Sequence, residues 1–205
     1  MDSSNDYNNT FHIFIMSKKV EIEGLTKDEQ RMLERNKYVE LLSTRPSYGA
    51  SNHGKGAKPL VHAFLIDKDG GTVVDFGCGD NSFIKSISNS NISGVGVDFV
   101  NPKADLIEPM HKVSLPDGYA DVVTSFDALE HLLPEEVDEV LKEMFRISKP
   151  CGIFIYSITH RPSSITSLGK NLHPTVEPME WWMDKLKQYC VNLKFNGKYL
   201  TGEWI

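Results

Sequence analysis

The residues best placed to do chemistry surround one short turn. Val73 and Val74 read as a buried strand, Asp75 stands near its end, and Gly77-Cys78-Gly79-Asp80-Asn81 follow. Glycine at 77 and 79 permits positive φ and lets a ligand approach the backbone closely. About 20 residues further on, Asp98 ends the next apolar run, where a carboxylate can accept hydrogen bonds from both hydroxyls of a ribose. The pattern is not that of a dinucleotide loop. Gly-x-Gly-x-x-Gly would need a third glycine, and the residues after Gly79 are Asp80, Asn81 and Ser82. A carboxylate at Asp75 would also repel a pyrophosphate, whereas it suits a cationic ligand.

Further along, Asp127-Ala128-Leu129-Glu130-His131 follows another apolar run. Its place is the carboxyl edge of a sheet, where open α/β folds bind ligands. His131 there could serve as a general base, orient an acceptor, or simply cap a helix; histidine alone titrates naturally near neutral pH. Residues 159–178 form a long polar link carrying His160, Arg161 and His173, with Trp181 and Trp182 just beyond. Long loops in compact domains are usually functional, and His173 is the better substrate candidate of this group. Trp182 reads as core, since Leu186 and Tyr189 share its helical face. The Gly-, Ser- and Pro-rich stretch 45–59 is lid-like, with Tyr48, His53 and Lys55 able to close over a site.

Alternating elements must position these residues. Thr26 and Glu29 form a capping box for a helix reaching about Leu42, and 60–66 reads as a second helix. Strands are expected at 72–76, 93–99, 104–107, 120–126 and 151–158, with a short helix at 82–87. A helix starts at Pro134, with an apolar face at Val137, Val140, Leu141, Met144 and Phe145, and another covers 178–190. Apolar strands linked by crossovers imply a parallel sheet covered on both faces. Asn196-Gly197, between two strand-like runs, is a hairpin signal and ends the sheet with an antiparallel pair.

The chain has 205 residues and a formal net charge of −6, from 22 basic and 28 acidic side chains. That balance argues against a broad nucleic-acid surface, whose affinity comes from basic side chains replacing counterions. No run approaches the roughly 18 apolar residues of a membrane span. Cys78, Cys151 and Cys190 are odd in number and far apart, which suggests neither disulfides nor zinc and points to the cytoplasm. Residues 1–15 read as a disordered extension, with a single domain at 16–205.

From Thr72 to Ser157 the chain resembles the class I S-adenosylmethionine-dependent methyltransferases of the small-molecule group. "VVDFGCGDN" is similar to their first motif and "GVGVDF" to their second. "LPDGYADVVTSFDALEHL" and "ISKPCGIFIYS" are similar to the two later ones. The resemblance implies a Rossmann-like, doubly wound α/β/α sandwich around a seven-stranded sheet whose last strand is antiparallel. It implies S-adenosyl-L-methionine as cofactor, with Asp75, Gly77 and Gly79 lining its methionine moiety and Asp98 holding the ribose. Phe99 would lie against the adenine, Met110 would help to hold it, and Asp127 would be a further contact. Asn81 replaces the family's third glycine and is expected to reshape the methionine pocket. Pro109-Met110-His111 stands where an acidic residue is usual. His131 and His173 are the catalytic candidates for methyl transfer to a small hydroxylated or amino acceptor. A nucleic-acid methyltransferase and a non-methylating cofactor-binding or cofactor-degrading protein are the alternatives.

Overall fold

The computed structural model describes residues 25–49 and 53–205, so the expected extension at 1–15 lies outside the described residues. The chain divides into two compact units, Met1–Asn36 and Lys37–Ile205. The described part of the first unit is the capped opening of helix α1 (Lys27–Thr44). There the Thr26 amide donates to Glu29 Oε2 at 2.8 Å and the Glu29 amide to Thr26 Oγ1 at 3.3 Å, the expected reciprocal cap.

The second unit holds the sheet. After a 3₁₀ turn at His53–Ala57 come α2 (Lys58–Ile66), β1 (Gly71–Phe76), α3 (Ser82–Ile87), β2 (Ile92–Asp98), β3 (Leu106–Ile107) and β4 (Ala120–Phe126). Short 3₁₀ turns at Leu129–His131 and Pro134–Glu136 lead into α4 (Val137–Ile147) and β5 (Ser148–Ser157). The small hairpin β6 (Thr166–Ser167) and β7 (Lys170–Asn171) precedes α5 (Met179–Leu186), β8 (Cys190–Phe195) and β9 (Leu200–Trp204).

Seven strands form one sheet in the order β3-β2-β1-β4-β5-β9-β8. β1 to β5 pair in parallel, and β9 runs antiparallel to both neighbours. The period-2 alternation of strand side chains divides the core into two layers. Val74, Phe76, Val123, Phe154 and Tyr156 pack with α4 and α5 on one face. Val73, Val122 and Ile155 pack with α2 and α3 on the other. This is the expected α/β/α sandwich with an antiparallel last strand.

Most boundaries fall within about three residues of the sequence expectation, and three features differ in kind. β5 begins at Ser148 rather than 151, through an irregularity in its pairing with β4 at which Cys151 takes φ 60°. α5 stops at Leu186, because Cys190 already starts β8. The link 159–178 is not wholly irregular: Leu168 (φ 49°) and Gly169 (φ 73°) close the β6–β7 hairpin. Among the described residues, no helix is long and apolar enough to cross a membrane.

Candidate functional site

β1 and β4 lie side by side at the centre of the sheet, and their carboxyl ends open onto a cavity of about 700 Å³. Crossovers leave to opposite faces here, which makes the cleft that ligands occupy in doubly wound sheets. The first wall is the glycine turn. Gly77 and Gly79 have φ 74° and 55°, and a Cβ on Gly79 would lie 2.3 Å from the Gly49 carbonyl oxygen. The Asp80 amide donates to that same carbonyl at 3.3 Å, which fastens the lid-like segment to the turn. Tyr48, Gly49 and Gly54 of that segment line the cavity. Lys55 is exposed and does not, and the His53 side chain lies outside what the structure describes.

Asn81 takes φ 64°, the left-handed conformation a third glycine would supply and one that asparagine tolerates. Its amide nitrogen donates to Asp105 Oδ2 at 2.9 Å, and the side chain is buried against Gly96. It does not line the cavity: the side chain turns toward β2 instead. Cys78 is buried in the bend, and burial pushes its thiol far above the ordinary range.

Two carboxyl groups face the turn. Asp98 organises backbone: Oδ2 accepts from the Gly79 amide at 3.1 Å, and Oδ1 from Val100 and Asn101 at 3.0 and 2.9 Å. Asp75 is 3% exposed, and Oδ1 accepts from Thr124 Oγ1 at 2.7 Å. Burial pushes its pKa up to about 7; the Thr124 bond opposes that and Asp98 adds to it. A buried carboxyl of this kind fits a cationic partner, and the neighbouring lining residues Phe99 and Met110 offer apolar surface for a flat base. The cavity therefore brings together the residues at which S-adenosyl-L-methionine is expected to bind. Asp75 is neutral below its pKa and charged above it. Affinity for S-adenosylhomocysteine, whose amino group is cationic, should therefore rise about tenfold between pH 6 and pH 8. Calorimetry across that range checks this, and Asp75→Asn should flatten the profile.

The opposite wall comes from the end of β4. Asp127 lines the cavity in a left-handed conformation (φ 49°), and its Oδ1 accepts from Ser157 Oγ at 3.1 Å. The 3₁₀ turn after it sets Glu130 and His131 side by side. Glu130 is fully buried; Oε1 accepts from the Thr159 amide at 3.1 Å. Burial, partly offset by hydrogen bonds, raises its pKa to about 7. His131 Nδ1 lies 2.7 Å from the Leu172 carbonyl and 2.6 Å from Tyr38 Oη. A carbonyl only accepts, so Nδ1 carries the proton and Nε2 keeps a lone pair. Burial, reinforced by neighbouring His173, lowers the His131 pKa to about 4. His173 stands edge-to-face with it at a ring separation of 4.6 Å and donates Nδ1–H to the Arg161 carbonyl at 2.7 Å.

His131, His173, Asp127 and Arg161 thus share one cavity with Asp75, Gly77, Gly79, Asp98, Phe99 and Met110. His160, Trp181 and Trp182 do not reach it. His160 is exposed and Trp182 fully buried, as its helical spacing suggested. Sequence reasoning passed over Glu130 and Tyr38. Glu130 sat unremarked beside His131, and nothing near Tyr38 signals a bond to a histidine 93 residues away.

Comparison with known proteins identifies the family. A family described as a methyltransferase domain matches residues 50–200. A probable S-adenosylmethionine-dependent methyltransferase of Mycolicibacterium smegmatis is 27% identical over 130 residues, 58% of this chain. The chain covers half the length of that relative. Among solved structures, a protein of Pyrococcus horikoshii has a TM-score of 0.62 at 20% identity, over 80% of this chain and 98% of that one. The 1,6-didemethyltoxoflavin N1-methyltransferase of Burkholderia thailandensis, solved with bound 1,6-didemethyltoxoflavin and S-adenosylhomocysteine, has a TM-score of 0.68 at 15% identity. It is matched over 90% of this chain and 93% of its own. With the glycine turn, Asp75 and Asp98 arranged as described, the chain belongs to the class I S-adenosylmethionine-dependent methyltransferases.

Proposed function

We propose that the protein transfers a methyl group from S-adenosyl-L-methionine to a small acceptor, and that the acceptor atom is a hydroxyl oxygen. The carrying observation is the Glu130, His131 and His173 cluster, which shares its cavity with the cofactor residues. When bound, the cofactor supplies an electrophilic methyl group on a sulfonium. The protein's own work is to position the acceptor and exclude water, which can supply much of the acceleration. An imidazole with a pKa near 4 is a weak base but keeps its lone pair free at neutral pH, so His131 orients the acceptor oxygen rather than storing its proton. Asp75, Gly77, Gly79, Asp98, Phe99, Met110 and Asp127 hold the cofactor in this reading.

A cavity of about 700 Å³ has room for the cofactor together with a sugar- or metabolite-sized molecule, within the range of ordinary ligand pockets. The cytoplasm is the compartment this reading assigns, supported by an odd and widely spaced cysteine set. The test is transfer of labelled methyl into a metabolite extract. Label should enter a small molecule with S-adenosylhomocysteine as co-product, and His131→Ala and His173→Ala should each slow it about 100-fold through loss of positioning. Methylthioadenosine formed without an acceptor would instead identify cofactor breakdown.

A further inference from the structure

The Glu130, His131 and His173 cluster has a property that acceptor positioning alone leaves unexplained. One donor atom from each of the three residues lies within 4.8 Å of the other two. Nδ1–H of both histidines is committed to backbone carbonyls, those of Leu172 and Arg161, so both Nε2 lone pairs remain available. Metal-binding histidines are characteristically oriented in this way, by a carbonyl that fixes the tautomer from behind. Tyr38 adds to the support, its hydroxyl lying 2.6 Å from His131 Nδ1 and donating to the Leu172 carbonyl at 3.2 Å.

The second observation is Glu130. Its residue is 0% exposed, and Oε2 finds no hydrogen-bond partner among the described residues while Oε1 is held by the Thr159 amide. An orphaned buried carboxylate oxygen is costly unless a cation satisfies it. Here it sits beside two imidazoles whose free nitrogens are acceptors, so neither histidine can donate to it. A cation satisfies all three at once.

We propose that Glu130, His131 and His173 bind a divalent first-row transition-metal ion, which in turn binds the acceptor hydroxyl. Two imidazoles and one carboxylate are the donor set of facial sites that leave further positions open, and nitrogen donors favour transition ions over magnesium or calcium. Donors around such an ion stand at about 2.0–2.2 Å from it, so binding draws the three side chains together by roughly 1–2 Å. All three residues line the cavity, so the open positions suit an acceptor there with two neighbouring oxygens, such as a sugar diol. Coordination lowers the pKa of a bound oxygen. The hydroxyl then loses its proton to solvent. Its oxygen forms the new C–O bond as the C–S bond breaks, and the sulfonium becomes a neutral thioether. No side chain needs to act as the base.

The acceptor assignment rests on the methyltransferase reading, whereas the metal site can be tested without it. Untagged full-length chain is stripped with chelator and titrated with Co²⁺, followed by metal analysis and visible absorption. One Co²⁺ per chain should bind, with d–d bands and a raised melting temperature. Glu130→Gln, which keeps the side-chain shape, and His173→Ala should each weaken Co²⁺ binding tenfold or more. His160→Ala, an exposed histidine of the same link, should bind as the parent does. No binding by the parent chain, or equal loss in His160→Ala, overturns the site. S-adenosylhomocysteine affinity is measured on the same samples. If Co²⁺ binds but S-adenosylhomocysteine does not, the metal site stands and the acceptor assignment falls. If both bind but chelator leaves methyl transfer unchanged, the ion has no role with the acceptor.

Discussion

Asp98→Ala should weaken S-adenosylhomocysteine binding about 100- to 1,000-fold, a loss of roughly 3–4 kcal/mol. The carboxylate does two things that alanine cannot. One oxygen receives the Gly79 amide and the other the Val100 and Asn101 amides, so both sides of the cofactor wall are tied to one side chain. Asp98 also lines the cavity, where the one acceptor site left on Oδ2 can take a ribose hydroxyl. Removing it leaves three backbone donors to find water and deletes a charge-assisted bond to the ligand worth about 1.5–3 kcal/mol. Asp98→Asn keeps one accepting oxygen and should fall between, near a tenfold loss. Calorimetry on both variants decides the matter, and unchanged affinity in Asp98→Ala would remove the ribose assignment altogether.

The largest loss of stability should come from the other side of the sheet. Trp182→Ala is expected to cost about 3–5 kcal/mol, the range for deleting a fully buried large side chain. Trp182 is 0% exposed within the layer of Leu129, Val140, Met144 and Trp204. Its indole nitrogen has no hydrogen-bond partner among the described residues, so the cost is cavity and lost contact rather than a broken bond. Trp181 provides the contrast. It is only half-buried, with the Lys185 ammonium 4.5 Å from its ring centre, and Trp181→Ala should cost no more than about 1 kcal/mol. Urea unfolding at constant m-value separates the two. Equal midpoints would show that α5 is not packed as described.

How much of this was legible in the sequence depends on the range of the interaction. The glycine turn, the strand alternation and the Trp182 face are patterns within a few residues, and local sterics and burial carry them into the structure with little change. The β6–β7 hairpin was missed because its strands are two polar residues each, too short for any period to register. Only Leu168-Gly169, both at positive φ, marks it, and leucine does not announce such a turn. The Glu130 cluster was only half visible. His131 and His173 stood out by residue type, but the Leu172 carbonyl that sets the His131 tautomer lies 41 residues away in sequence, and the Tyr38 hydroxyl 93. No window along the chain contains both ends of such a bond.

Asn81 shows what a motif letter stands for. Where relatives place glycine, the structure requires a dihedral angle, and asparagine meets it at φ 64°. The side chain then needs somewhere to go. It goes where Gly96 has none, since a Cβ there would lie 2.2 Å from Asn81 Oδ1. Cys78 Sγ would lie 2.8 Å from the same Cβ, so position 96 stays bare as the floor on which both the Cys78 and Asn81 side chains rest.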